Sequence, residues 1–203
     1  LQSQGVKAVV LACHTSSALA LEEVAQHASI PVMGVLQPTA FALAQRYCHD
    51  HIVWLATPAS IRANKLPGYA RDLGFKGEIT PLACPGWVDV VESGSWHTPQ
   101  FIADISAHLA VTRQMENQGC LRILYDCTHY PWLHPVVTTI LPEGVRCLDP
   151  STWVARACRK LLADKHLLSS EDKRGRVQFL DGATISERWH TYRSSQGNEV
   201  YEG

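Results

Sequence analysis

The stretch Leu121 to Leu133 reads L-R-I-L-Y-D-C-T-H-Y-P-W-L, and its reading decides the fold class. Leu121, Ile123 and Leu124 begin a short apolar run of the kind a buried strand needs. The polar cluster Asp126-Cys127-Thr128-His129 stops that run before Pro131 forces a new direction. Open parallel sheets place ligands at strand ends of this sort, because the backbone turns there and side chains converge on a crevice. The chain makes the same move earlier. Val6 to Ser17 reads V-K-A-V-V-L-A-C-H-T-S-S, an apolar run from Ala8 to Ala12 followed at once by Cys13-His14-Thr15. Two strands each finish in a Cys with a hydroxyl residue close behind.

Two thiols can do what one cannot. A stereocentre is inverted by taking a proton from one face of a carbon and returning another to the opposite face. That requires two acid/base groups facing each other across the substrate. Cysteine suits the role, since its reference pKa near 8.5 leaves a usable thiolate fraction near neutral pH. The hydroxyls and backbone N–H groups after each Cys suit an anionic substrate.

The two motifs resemble those of the glutamate racemases, within the cofactor-independent aspartate/glutamate racemase superfamily. Ala12-Cys13-His14-Thr15-Ser16-Ser17-Ala18 is similar to the family's first motif, usually Ala-Cys-Asn-Thr-Ala-Ser, and Cys127-Thr128-His129-Tyr130-Pro131 matches the second. Pro31 to Val35, Ala83-Cys84-Pro85 and Val91-Glu92-Ser93-Gly94 resemble further family segments in the right order. The resemblance implies that Cys13 and Cys127 exchange the proton on opposite faces of the α-carbon, with His129 assisting Cys127 and neither pyridoxal phosphate nor metal involved. It implies substrate binding by His14, Thr15, Thr57, Ser60, Thr128 and Glu92. For Thr15 and Thr128, simple helix capping is the other role open to a hydroxyl at these positions. His14 stands where the family has Asn, and Asp126 where it usually has Gly. A carboxylate beside Cys127 raises the thiol pKa unless a cation offsets it.

The fold expected is α/β, with two pseudo-symmetric lobes of parallel-type sheets flanked by helices and one Cys motif from each. The resemblance implies a first lobe of residues 1–36 and 149–203 and a second of residues 37–148. Family members begin with a strand ending in Asp-Ser-Gly, and later carry Pro-Tyr-Gly. Neither segment occurs here, so the first lobe is expected to lack two strand-helix units, roughly sixty residues. The substrate implied is glutamate, and the role is supply of D-glutamate for bacterial peptidoglycan. A homodimer is compatible with this.

Composition sets the class. The 203 residues are 46% hydrophobic and 18% charged, an ordinary globular balance. A net charge of −1 argues against nucleic acid or an anionic membrane as partner, and no apolar run has the length of a membrane helix. Seven scattered Cys suit a reducing cytoplasm better than a disulfide framework.

Hydrophobic periodicity predicts helices over Ser16 to Ala28, Thr39 to Tyr47 with Thr39 as cap, Ile61 to Leu73, Thr98 to Met115, Leu133 to Ile140 and Thr152 to Leu162. Thr15, Ser16 or Ser17 is expected to cap the first. Strands are predicted over Ile30 to Val35, Ile52 to Ala56, Glu78 to Leu82, Leu121 to Tyr125 and Val145 to Leu148. Beyond Ser169 the polar chain reads as loose, with a strand over Val177 to Leu180, a turn at Asp181-Gly182, a short helix over Ile185 to Tyr192 and a frayed end over Ser194 to Gly203. Cys84 reads as a packed thiol.

Two other classes compete. Cys13-His14 and Cys127-x-His129 offer the four N/S ligands of structural zinc, without the usual hairpin spacing. A racemase-like binding or interaction module without turnover is the second.

Overall fold

The computed structural model describes residues 1–115, 120–169, 180–181 and 184–185. They fall into two units, Leu1–Leu167 and Leu168–Gly203. In the second unit Leu180–Asp181 pairs antiparallel with Thr184–Ile185. Ile185 is therefore in a strand, not at the head of a helix, and the other expectations for residues 170–179 and 186–203 lie outside the described residues.

The first unit holds two parallel sheets flanked by helices. In the smaller, β1 (Val9–Leu11) pairs with β2 (Val32–Gly34). The connection is not the single helix that the periodicity predicts. It is α1 (His14–Leu19) followed by α2 (Leu21–His27), with Ala20 leaving helical geometry between them. Tertiary ties override the periodicity here. Ser17 Oγ donates to the Leu11 carbonyl at 2.7 Å and accepts the Val35 N–H at 3.1 Å, which anchors α1 to both strands.

The larger sheet has the order β4 (Glu78–Ala83), β3 (His51–Ala56), β5 (Leu121–Asp126), β6 (Arg146–Leu148), all parallel. All six residues of β3 are buried, as a central strand covered on both faces must be. Alternation sorts the side chains. Val53, Leu55, Ile123 and Tyr125 share one core with Phe101, Ile105 and Leu133, while Ile52, Trp54, Ala56 and Leu124 share another with Leu36, Leu43 and Leu66. The first core is covered by α6 (Trp87–Glu92), α7 (Pro99–His108) and α8 (His134–Ile140). The second is covered by α3 (Leu36–Arg46) and α5 (Lys65–Asp72), and Trp153 of α9 (Ser151–Asp164) packs against Tyr47.

Three boundaries differ from the periodicity. The helix expected from Thr39 starts at Leu36, and Thr39, fully buried, spends its hydroxyl on the Val35 carbonyl rather than on a cap. The helix after β3 is α4 (Pro58–Ala63), separated from α5 by Asn64 in the left-handed region at φ 50°, which asparagine tolerates better than most residues. Past His108, residues Leu109–Met115 tighten into a 3-10 helix. Among the described residues no helix is long and apolar enough to cross a membrane.

Gly77 precedes β4 at a close approach: a Cβ there falls 2.0 Å from the Asp50 carbonyl oxygen and 2.7 Å from Phe75 Cζ. Relieving that overlap means moving backbone, so Gly77→Ala is expected to lower stability by about 1–3 kcal/mol. Urea unfolding checks it. The midpoint falls with the slope preserved, and an unchanged midpoint contradicts the close approach.

Candidate active site

In the larger sheet the chain steps from β3 out to β4 on one side, then resumes at β5 on the other side of β3. A switch of this kind leaves a crevice beyond the carboxyl ends of β3 and β5. Thr57 and Ser60 follow β3, and Cys127, Thr128 and His129 follow β5. The end of β1 reaches the same place, because Thr15 Oγ1 lies 2.9 Å from Thr57 Oγ1 and 3.0 Å from Ser60 Oγ. Thr57 Oγ1 donates to Ser60 Oγ at 3.1 Å and accepts the Ser60 N–H at 3.2 Å, capping α4. The three hydroxyls thus form one cluster, part of it closing a helix end.

Cys13 is exposed and is itself the cap of α1, its Sγ accepting the Ser16 N–H at 3.5 Å. The cap was expected two to four residues later, on a hydroxyl. Cys127 is buried, at 8% exposure. Burial pushes its thiol above the usual range. The backbone N–H groups of His129 and Tyr130 pull it back in part, and charge on Cys13 or Asp126 pushes it further up.

His129 Nδ1 stands 3.7 Å from Cys127 Sγ, and its Nε2 stands 2.5 Å from Glu92 Oε1 at the end of α6. A carboxylate that accepts one ring N–H fixes the imidazole's tautomer and leaves the other nitrogen to face the thiol. Thr128 is exposed beside them, its Oγ1 3.5 Å from His129 Nδ1. Glu92, expected among the substrate ligands, is thus in contact with His129. By resemblance Glu92 was expected near the second thiol, and it is found there; its direct partner, His129, was not expected, because residues 92 and 129 meet only through the packing of α6 on the turn after β5.

His14 is also turned inward. It is buried, and its Nε2 lies 3.3 Å from Asp126 Oδ1. Cys84 is buried beside Cys127, its Sγ donating to the Leu82 carbonyl, and burial drives its thiol far upward. A proton held that firmly suits packing rather than exchange. Among the described residues, no group of three or more His, Cys, Asp or Glu side chains is arranged to hold a metal ion.

Cys13 and Cys127 should differ in reactivity. With iodoacetamide near neutral pH, Cys13 is expected to alkylate at least about tenfold faster than Cys127, from exposure and from the raised thiol of Cys127. Peptide mass spectrometry of a time course reads this directly. Equal rates would contradict the burial of Cys127.

The sequence profile of the Asp/Glu/hydantoin racemase family matches residues 1–158. A glutamate racemase of Trichormus variabilis is 35% identical over 162 residues, covering 80% of this chain and 54% of that protein. Among solved structures, glutamate racemase isoform RacE1 of Bacillus anthracis superposes with a TM-score of 0.70 at 26% identity, covering 81% of this chain and 61% of that one. The Francisella tularensis glutamate racemase in complex with D-glutamate gives 0.71 at 24% identity, covering 84% and 62%. The chain spans about half the length of the curated relatives it matches.

Proposed function

Because the chain belongs to the Asp/Glu/hydantoin racemase family, we propose that it interconverts L- and D-glutamate by proton transfer between Cys13 and Cys127. The observation that supports this reading is the meeting of the two motif turns: Thr15 contacts Thr57 and Ser60 at 2.9 and 3.0 Å, and His14, next to Cys13, lies 3.3 Å from Asp126, next to Cys127. A two-base inversion needs one thiolate and one thiol at a time.

In either direction the thiolate takes the α-proton from its face, and the opposite thiol gives its own proton to the other face. The C–H bond broken on one side is replaced by a C–H bond on the other, and the two sulfurs exchange protonation states. Neither pyridoxal phosphate nor a metal enters the scheme. Thr15, Thr57, Ser60 and Thr128 supply hydroxyls for the substrate carboxylate, and His129, oriented by Glu92, manages the proton on Cys127. The D-glutamate formed serves bacterial peptidoglycan, and the site of action is the cytoplasm.

Circular dichroism of glutamate incubated with the purified chain tests the reading from both enantiomers. Interconversion is expected without added cofactor, and Cys13→Ala and Cys127→Ala are each expected to reduce it by about 10²–10⁴-fold, the usual worth of a positioned acid or base. Absence of turnover at high protein concentration, or full turnover in either variant, overturns it. The first of those outcomes favours a racemase-like binding module. Glu92→Gln is expected to lower kcat on the order of tenfold with KM little changed, since it acts through His129. A change confined to KM makes Glu92 a substrate ligand instead.

A further inference from the structure

His14 and Asp126 are the chain neighbours of the two thiols, and the scheme above uses neither. His14 opens α1 directly after Cys13, and Asp126 ends β5 directly before Cys127. Both point into the protein, at 6% and 0% exposure, with His14 Nε2 3.3 Å from Asp126 Oδ1. Among the described residues, no group hydrogen-bonds either ring nitrogen of His14 or either oxygen of Asp126 in good alignment. The contact joins residues 112 positions apart. It also joins two of the places, His14 and Asp126, where the sequence departs from the pattern it otherwise resembles.

We propose that His14 and Asp126 form a positioning pair that ties the Cys13 turn to the Cys127 turn and, through the Asp126 carboxyl, tunes the reactivity of Cys127. The strand register explains why the pair exists. Asp126 continues the face of Trp54 and Leu124, toward α1, while Cys127 continues the opposite face. The groups facing Asp126 are His14 from α1 and Trp54 from β3; charge on Asp126 reaches Cys127 and Tyr130 in the turn after β5, and Cys127 also feels Cys13. None is a fixed cation. Burial drives Asp126 up to about 8, with the Trp54 indole lowering it in part, and drives His14 down to about 4. At neutral pH a protonated carboxyl therefore faces a neutral imidazole, the state a low-dielectric site favours. The carboxyl beside Cys127 then carries no charge. Above its ionisation, a buried carboxylate opposes the thiolate.

Peptide-resolved alkylation of Cys127 by iodoacetamide, from about pH 6 to about pH 10 on the whole chain, tests this in wild type and Asp126→Asn. The profiles are expected to coincide below about pH 7 and to separate above about pH 8, with the variant about tenfold faster near pH 9 and Cys13 unaffected. Profiles that coincide throughout, or differ by one constant factor at every pH, overturn the proposal, since a merely structural role gives no pH-dependent divergence. Should the variant not fold, the wild-type profile decides alone. Its logarithmic slope dips below unity near about pH 8, where Asp126 ionises below the raised thiol, and a unit slope through that range overturns the proposal. Alkylation needs no turnover, so failure of the racemase reading and failure of this pair are separate results. The pair's bearing on catalysis rests on the two-thiol reading.

Discussion

The register between β3 and β5 is the constraint on which the site depends. His51 pairs with Leu121 and Ala56 with Asp126, six matched positions without a bulge. Because side chains alternate across a strand, a one-residue slip would exchange the two faces entirely. In the observed register Leu124 and Asp126 look toward α3 and α1, and Tyr125 and Cys127 look toward α6 and α7. The apolar residues on both faces make any slip costly, since it would carry Asp126 into one core and Arg122, paired at 2.9 Å with Asp50, out of its salt bridge. The thiol's place is thus determined by residues that take no part in chemistry.

Around that frame the electrostatics divide the crevice. On the β1 and β3 side are an exposed thiol and a cluster of three hydroxyls, well suited to an anion. On the β5 side are a buried thiol, an imidazole and a carboxylate linked in a row. The His14 and Asp126 contact joins the residues next to the two thiols and is kept uncharged by burial at neutral pH. A carboxyl immediately before Cys127 looks damaging when read from sequence, where it counts as a negative charge. In the fold its burial removes most of that charge near neutrality, and its partner is the other unusual residue of the pair of motifs.

Much of this was legible in the sequence. The apolar runs ending in Cys13 and Cys127 read as strands ending at a crevice, and the α/β class with parallel sheets followed. Thr15, Thr57 and Ser60 were grouped from motif positions and do meet. What was not legible depends on contacts distant in sequence. Resemblance placed Glu92 near the second thiol but not on His129, 37 positions away, and nothing paired His14 with Asp126 across 112. Local chemistry misled at Thr39, where a residue with good capping propensity is instead absorbed into a helix beginning at Leu36. It misled also at Cys13, whose sulfur takes the cap that nearby hydroxyls were expected to take. Propensity is a weak prior wherever the third dimension supplies another partner.

The central claim is that Cys13 and Cys127 look into one cavity of a size that holds a small amino acid. Treatment of the native chain with a bifunctional thiol reagent about as long as glutamate, followed by peptide mass spectrometry, tests it most directly. The account predicts a cross-linked pair of peptides containing Cys13 and Cys127, formed in the native protein, lost on denaturation and suppressed by glutamate. Each thiol modified singly with no cross-link between them, or Cys13 joined instead to another cysteine, would contradict it.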